Sequence, residues 1–173
     1  ALEAASRAIE QSEEANELPD KKWLTQLLQP GSSLGGARPK ASVVDTDGAL
    51  YIAKFPSRKD DYDVGLWEHF CHQLAVEAGI KVAETKVISA GSKYHTLLSR
   101  RFDRGEEGQR IHFASAMTLL GLSDGDNASN GYGYLDMVDF IIRHCTDVQA
   151  NLQELYRRVA FNICIGNSDD HFR

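Results

Sequence analysis

Residues 41 to 55, "ASVVDTDGALYIAKF", decide the fold. Two runs rich in β-branched and aromatic residues flank Asp-Thr-Asp-Gly, a turn signal, so the stretch predicts a β-hairpin. On its C-terminal side comes "DYDVGLWEHFCHQLAVEAGI", residues 61 to 80. Trp67, Phe70, Cys71, Leu74, Ala75 and Ala78 recur there at helical spacing, and Gly79 is placed to end the helix. That row is expected to face the core. "KVAETKVISAG" and "SKYHTLLSRRF" follow as two more strands about a Gly-Ser turn. The first hundred residues therefore predict an antiparallel sheet with one covering helix.

Before the hairpin, "ALEAASRAIEQSEEANE" favours helix but carries a thin apolar stripe. "LPDKKWLTQLLQPG" predicts a short second helix, with Trp23, Leu24, Leu27 and Leu28 on one face. Beyond Arg100–Arg104 the texture becomes helical. "RIHFASAMTLLG", "GYLDMVDFIIRHC" and "VQANLQELYRRVAFNICIGN" predict three helices, and "LSDGDNASNGYG" between the first two predicts an exposed loop. The expected division is residues 1–99, with the sheet, and residues 100–173, helical.

The bulk properties narrow the class. With 173 residues the chain is long enough to bury a core, as one domain or two lobes. Its net charge of −6 disfavours general attraction to nucleic acid or anionic membranes. Cys71, Cys145 and Cys164 lie far apart with one necessarily left over, which points to a reducing compartment. No apolar run approaches the roughly 20 residues that cross a bilayer, and the acidic start is unlike a signal peptide. A cytoplasmic location is expected.

Three stretches can carry chemistry. "PGSSLGGARPK", residues 30 to 40, has the small residues, hydroxyls and lysine that suit a polyphosphate, without matching a Walker or dinucleotide motif. A plain flexible turn is the competing reading. Lys54 ends an apolar strand, where an ammonium costs desolvation unless it meets an anion. It is either solvated or paired with Glu68 on the next helix, as protein kinases fix the lysine that holds ATP phosphates. In "GNSDDHFR", two carboxylates and an imidazole emerge from the end of an apolar helix carrying Val159, Phe161, Ile163 and Ile165. Proton acceptance, divalent-cation chemistry and a simple polar helix cap all fit that cluster. His69, Cys71 and His72 do not converge on one side of a helix, so zinc is disfavoured there.

The order of these features is more specific than any one of them. "SLGGARPKA", "IAKFPS", "WEHFCHQLAVEAGI", "SRRFDR" and "NSDDH" together resemble the HipA family of serine/threonine kinases, the toxins of bacterial toxin–antitoxin pairs. The resemblance runs from about Ser32 to Arg173. It implies an α+β, protein-kinase-like two-lobed fold: an antiparallel-sheet N-lobe with one covering helix, then an incomplete helical C-lobe. It implies ATP and Mg²⁺ as cofactors. Lys54 would contact ATP phosphates with Glu68 as its ion-pair partner. Ser33, Leu34, Gly35, Gly36, Ala37 and Lys40 would belong to the loop over the phosphates. Leu98 to Arg101, Arg100 included, would form the hinge against which adenine sits.

The resemblance further makes Asp169 the catalytic aspartate that orients and deprotonates the attacking hydroxyl. His171 would brace that loop, and Asp170 falls at the variable position between them. Ser33, or the adjacent Ser32, would be the autophosphorylated regulatory serine. A translation component as protein substrate and a DNA-binding antitoxin as partner are implied, without a membrane or direct nucleic-acid binding.

The sequence also departs from the family pattern. The metal-binding asparagine would fall just past Arg173, and the aspartate of the DFG-like segment further on. A fragment incompetent as a kinase by itself is thus expected. The alternatives are a non-catalytic nucleotide-binding or antitoxin-docking module, and a lipid or small-molecule kinase of related fold.

Overall fold

The computed structural model describes residues 2–15, 38–46, 48–89, 91–105 and 108–173. They fall into two compact units. The first comprises Ala1–Leu74 with Val82–Ile111, the second Ala75–Lys81 with His112–Arg173.

The first unit is built on the hairpin. Strands β1 (Lys40–Val44) and β2 (Leu50–Lys54) pair antiparallel, with Ala41 opposite Ala53 and Val43 opposite Tyr51. The five-residue connection closes through Asp45 N–H to the Ala49 carbonyl, 2.9 Å, and turns at Gly48, whose φ of 82° favours glycine. Strands β3 (Thr85–Ile88) and β4 (Thr96–Arg100) complete a sheet of order β1-β2-β4-β3, every pair antiparallel.

Strand alternation sorts the side chains onto two faces. Ala41, Tyr51, Ala53, Phe55 and Leu98 form a buried cluster on one face, with Leu2 of helix α1 (Leu2–Glu14) packed against it. Ala5 and Ser6 of α1 are buried. Glu10 anchors the helix further, accepting from Ser57 Oγ at 2.7 Å and Arg58 N–H at 3.1 Å. The second helix expected at residues 18 to 31 lies outside the described residues.

Helix α2 (Val64–Glu77) lies against the opposite face. Asp63 caps it, accepting from Leu66 N–H at 3.1 Å, and the same carboxylate holds the His95 backbone N–H at 3.2 Å and the His95 ring. The face it turns to the sheet corrects the sequence expectation. Gly65, Glu68 and His69 point inward, whereas Trp67, Phe70 and Leu74 of the expected row are exposed, Trp67 by 56%. The cause is polar anchoring: bringing Glu68 to Lys54 and His69 to Thr85 turns Trp67, Phe70 and Leu74 outward.

In the second unit, helix α3 is short (Ala116–Leu120), capped by Ser115 and stopped by Gly121 at φ 69°. The longer helix expected from residue 110 does not form. Arg110 instead bridges to Arg104, and Ile111 N–H donates to the Asp103 carbonyl at 3.0 Å, which holds that stretch extended. A 3₁₀ turn (Ala128–Asn130) precedes helix α4 (Tyr134–His144), and helix α5 (Val148–Cys164) follows. Leu155 is buried in α5, but Ile163 is 75% exposed and Ile165 is exposed too, against the expectation of a buried helix beneath the terminal cluster. No described helix is long and apolar enough to cross a membrane.

Candidate functional site

Lys54 closes β2 and sits directly opposite Lys40 of β1 on one side and Leu97 of β4 on the other. Paired positions share a face, so both ammoniums stand on the side covered by α2. Lys54 Nζ donates to Glu68 Oε1. Behind them Leu97 is completely buried, and the His69 Nδ1–Thr85 Oγ1 hydrogen bond of 2.8 Å fixes the next position of the helix. Like charges placed directly across a ladder destabilise a sheet. Burial and the neighbouring Lys54 ammonium accordingly hold Lys40 below the usual lysine value, which Glu68 offsets only in part. Arg38, two residues before β1, is engaged by Asp60. The arrangement is two lysines and one carboxylate on a half-buried face, a set suited to a polyanion.

Leu98 and Arg100 are not on that face. Leu98 pairs with Ala53 and lies in the core cluster, while Arg100 pairs with Tyr51 and forms an exposed ion pair with Glu84 at 3.3 Å. Alternation places both side chains on the face away from Lys54. Ser32, Ser33, Leu34, Gly35, Gly36 and Ala37 lie outside the described residues.

In the second unit, Gly166 at φ 67° turns the chain out of α5 into the polar segment. Asn167 Oδ1 accepts from Asp169 N–H at 3.1 Å, the short-range turn that Asn forms readily. Asp169 is exposed, and among the described residues no hydrogen bond reaches its carboxylate. Asp170 is the engaged acid: its Oδ2 accepts from Tyr134 Oη and from Asn162 Nδ2, the latter at 2.8 Å. Burial and that carboxylate push the Tyr134 phenol above its ordinary value. His171 is exposed and makes no bracing contact among the described residues. Asp170 reaches Tyr134, which opens α4, and Asn162, in the last turn of α5. Sequence reading missed Tyr134 and Asn162, which lie 36 and 8 residues from Asp170. No local motif marks them.

Among the described residues, no three His, Cys, Asp or Glu side chains group to hold a metal ion.

The profile of the HipA-like C-terminal domain matches residues 32–173. The chain belongs to that family. A Haemophilus influenzae protein named "Putative kinase" is 26% identical over 162 residues, covering 84% of this chain and 47% of its own. The crystal structure of the Helicobacter pylori proinflammatory kinase CtkA superposes with a TM-score of 0.62 at 18% identity, over 83% of this chain and 49% of that one. At that identity the likeness concerns the fold alone, which is kinase-like and α+β. The chain spans about half the length of these relatives.

Proposed function

We propose that this chain carries the ATP-phosphate grip and the acceptor-activating carboxylate of a HipA-type serine/threonine protein kinase. The observation that supports it most is the pair of lysines, Lys40 and Lys54, opposed in register beneath α2 with Glu68 bonded to Lys54. A bound triphosphate converts an unfavourable lysine pair into charge-assisted contacts, and Glu68 keeps Lys54 from folding away. ATP fits this donor set. Magnesium would enter with the nucleotide's phosphates and neutralise part of their charge.

Asp169 takes the role of base because its carboxylate is unengaged while its neighbour Asp170 is occupied. It accepts the proton of a serine or threonine hydroxyl as that oxygen attacks the γ-phosphorus and ADP departs. Phosphorylation of Ser33 or Ser32, which the family resemblance implies, would add about −1.5 to −2 charges and oppose ATP. A translation component as substrate and a DNA-binding antitoxin as partner complete the proposal, as the family resemblance implies.

Calorimetry with ATP and Mg²⁺, joined to γ-phosphate transfer assays on the complete gene product, tests it. Lys54→Met is expected to weaken ATP binding at least about tenfold, the scale of a charged hydrogen bond. Asp169→Asn is expected to bind ATP normally and transfer nothing measurable. Undiminished transfer by Asp169→Asn, or unchanged ATP affinity in Lys54→Met, overturns the assignment.

A further inference from the structure

The segment from Asn167 to Arg173 is fastened from several directions within the second unit. Asn162 donates to Asp170 at 2.8 Å and accepts from Asn167 Nδ2 at 3.3 Å. Tyr134 Oη donates to the same Asp170 oxygen. Met117 N–H, near the start of α3, donates to the Phe172 carbonyl at 2.8 Å, and Arg173 pairs with Asp124 at 3.4 Å. Asp169 itself is touched only through its backbone, by Asn167. Its backbone is therefore held from both sides, by Asn167 two residues before it and by Asp170 after it, and both of these bond to Asn162.

We propose that Tyr134 and Asn162 are positioning residues for the candidate catalytic loop, holding Asp170 and Asn167 so that the Asp169 carboxylate stays presented and unengaged. Neither touches the reacting atoms. Asn162 is the centre of the device, because one side-chain amide donates to one flank of Asp169 and accepts from the other. Tyr134 adds a strut from the first residue of α4, which ties the loop to the helix that follows the Gly/Asn-rich stretch 121–133. The hydroxyl and the amide converge on one carboxylate oxygen, so removing either halves the hold on Asp170 and loosens the turn that presents Asp169. This inference rests on Asp169 being the base.

Tyr134→Phe and Asn162→Ala, made in the complete gene product beside Asp169→Asn, test it. Tyr134→Phe removes one oxygen atom and leaves the ring, so its folding is not at stake. Both variants are expected to lose about tenfold to a hundredfold in kcat, the scale set by misplacing a reacting group. The KM for ATP is expected to stay within about twofold, since the lysine grip is untouched. Amide exchange at Asp169 and Asp170 should speed up while the thermal midpoint holds. A purely structural role would shift the midpoint and leave the kcat-to-KM split unmoved. Wild-type kcat in both variants, with Asp169→Asn inactive, overturns the positioning role while leaving the kinase reading intact. If Asp169→Asn is itself active, the kinase reading fails, and unchanged exchange in Asn162→Ala then removes the loop-holding role as well.

Discussion

Lys54 owes its chemistry to its place in a ladder. One residue earlier or later on β2, its side chain would enter the core cluster of Ala53 and Leu98 on the other face. A second residue with a measurable consequence is Asp103. It takes two hydrogen bonds from Arg101, 2.8 and 2.7 Å, and one from Arg104 at 2.6 Å. The Arg101 bonds outweigh burial, and both guanidinium charges add to them, so its carboxyl falls from 3.8 to about 2. A carboxylate depressed in the folded state stabilises the fold above its unfolded pKa, and that contribution disappears as pH falls through the folded one. The window is thus about pH 4 down to about pH 2. Thermal midpoints measured across it should fall steeply for the wild type and less for Asp103→Asn. Equal slopes for both would exclude Asp103 as the group responsible.

At the scale of elements, α2 is held by polar contacts and by one close approach. A Cβ built on Gly65 would lie 2.4 Å from the His95 carbonyl oxygen, which is backbone and cannot swing away. Gly65→Ala should therefore push the start of α2 off the sheet, at about 1–3 kcal/mol, the usual scale of overpacking. Denaturant melting reads that loss, and wild-type stability would count against the contact. The hairpin was legible in the sequence because alternation and turn chemistry are local. Which side of α2 faces the sheet was not. Trp67, Phe70 and Leu74 belong to the row that repeats at helical spacing, so apolar periodicity selects them for the core. The competing requirement, a glutamate and a histidine turned inward to meet Lys54 and Thr85, is visible only once the strands are in register. The terminal cluster was legible as a site for the opposite reason: its acids are adjacent in sequence. Its supports were not, since Tyr134 reaches Asp170 only through the fold.

For the whole molecule, burial is unevenly shared. The sheet unit contains the core cluster, Leu97 and the inner side of α1, whereas from His112 onward Leu155 is the one buried residue. Local stability follows buried contacts. Backbone amides of α3, α4 and α5 should accordingly exchange with deuterium before those of β2 and β4, and mass spectrometry that found the reverse order would contradict this account. Leu135 of α4, 80% exposed, and Tyr156 and Ile163 of α5 leave that unit with apolar area facing water. Copies of the chain are kept apart by their shared net charge of −6. Salt shortens the reach of that repulsion, from about 30 Å at 0.01 M to about 3 Å at 1 M, and leaves apolar attraction in place. Concentrated stocks are therefore expected to stay clear in dilute buffer and to self-associate as electrolyte is added, a change that light scattering reads.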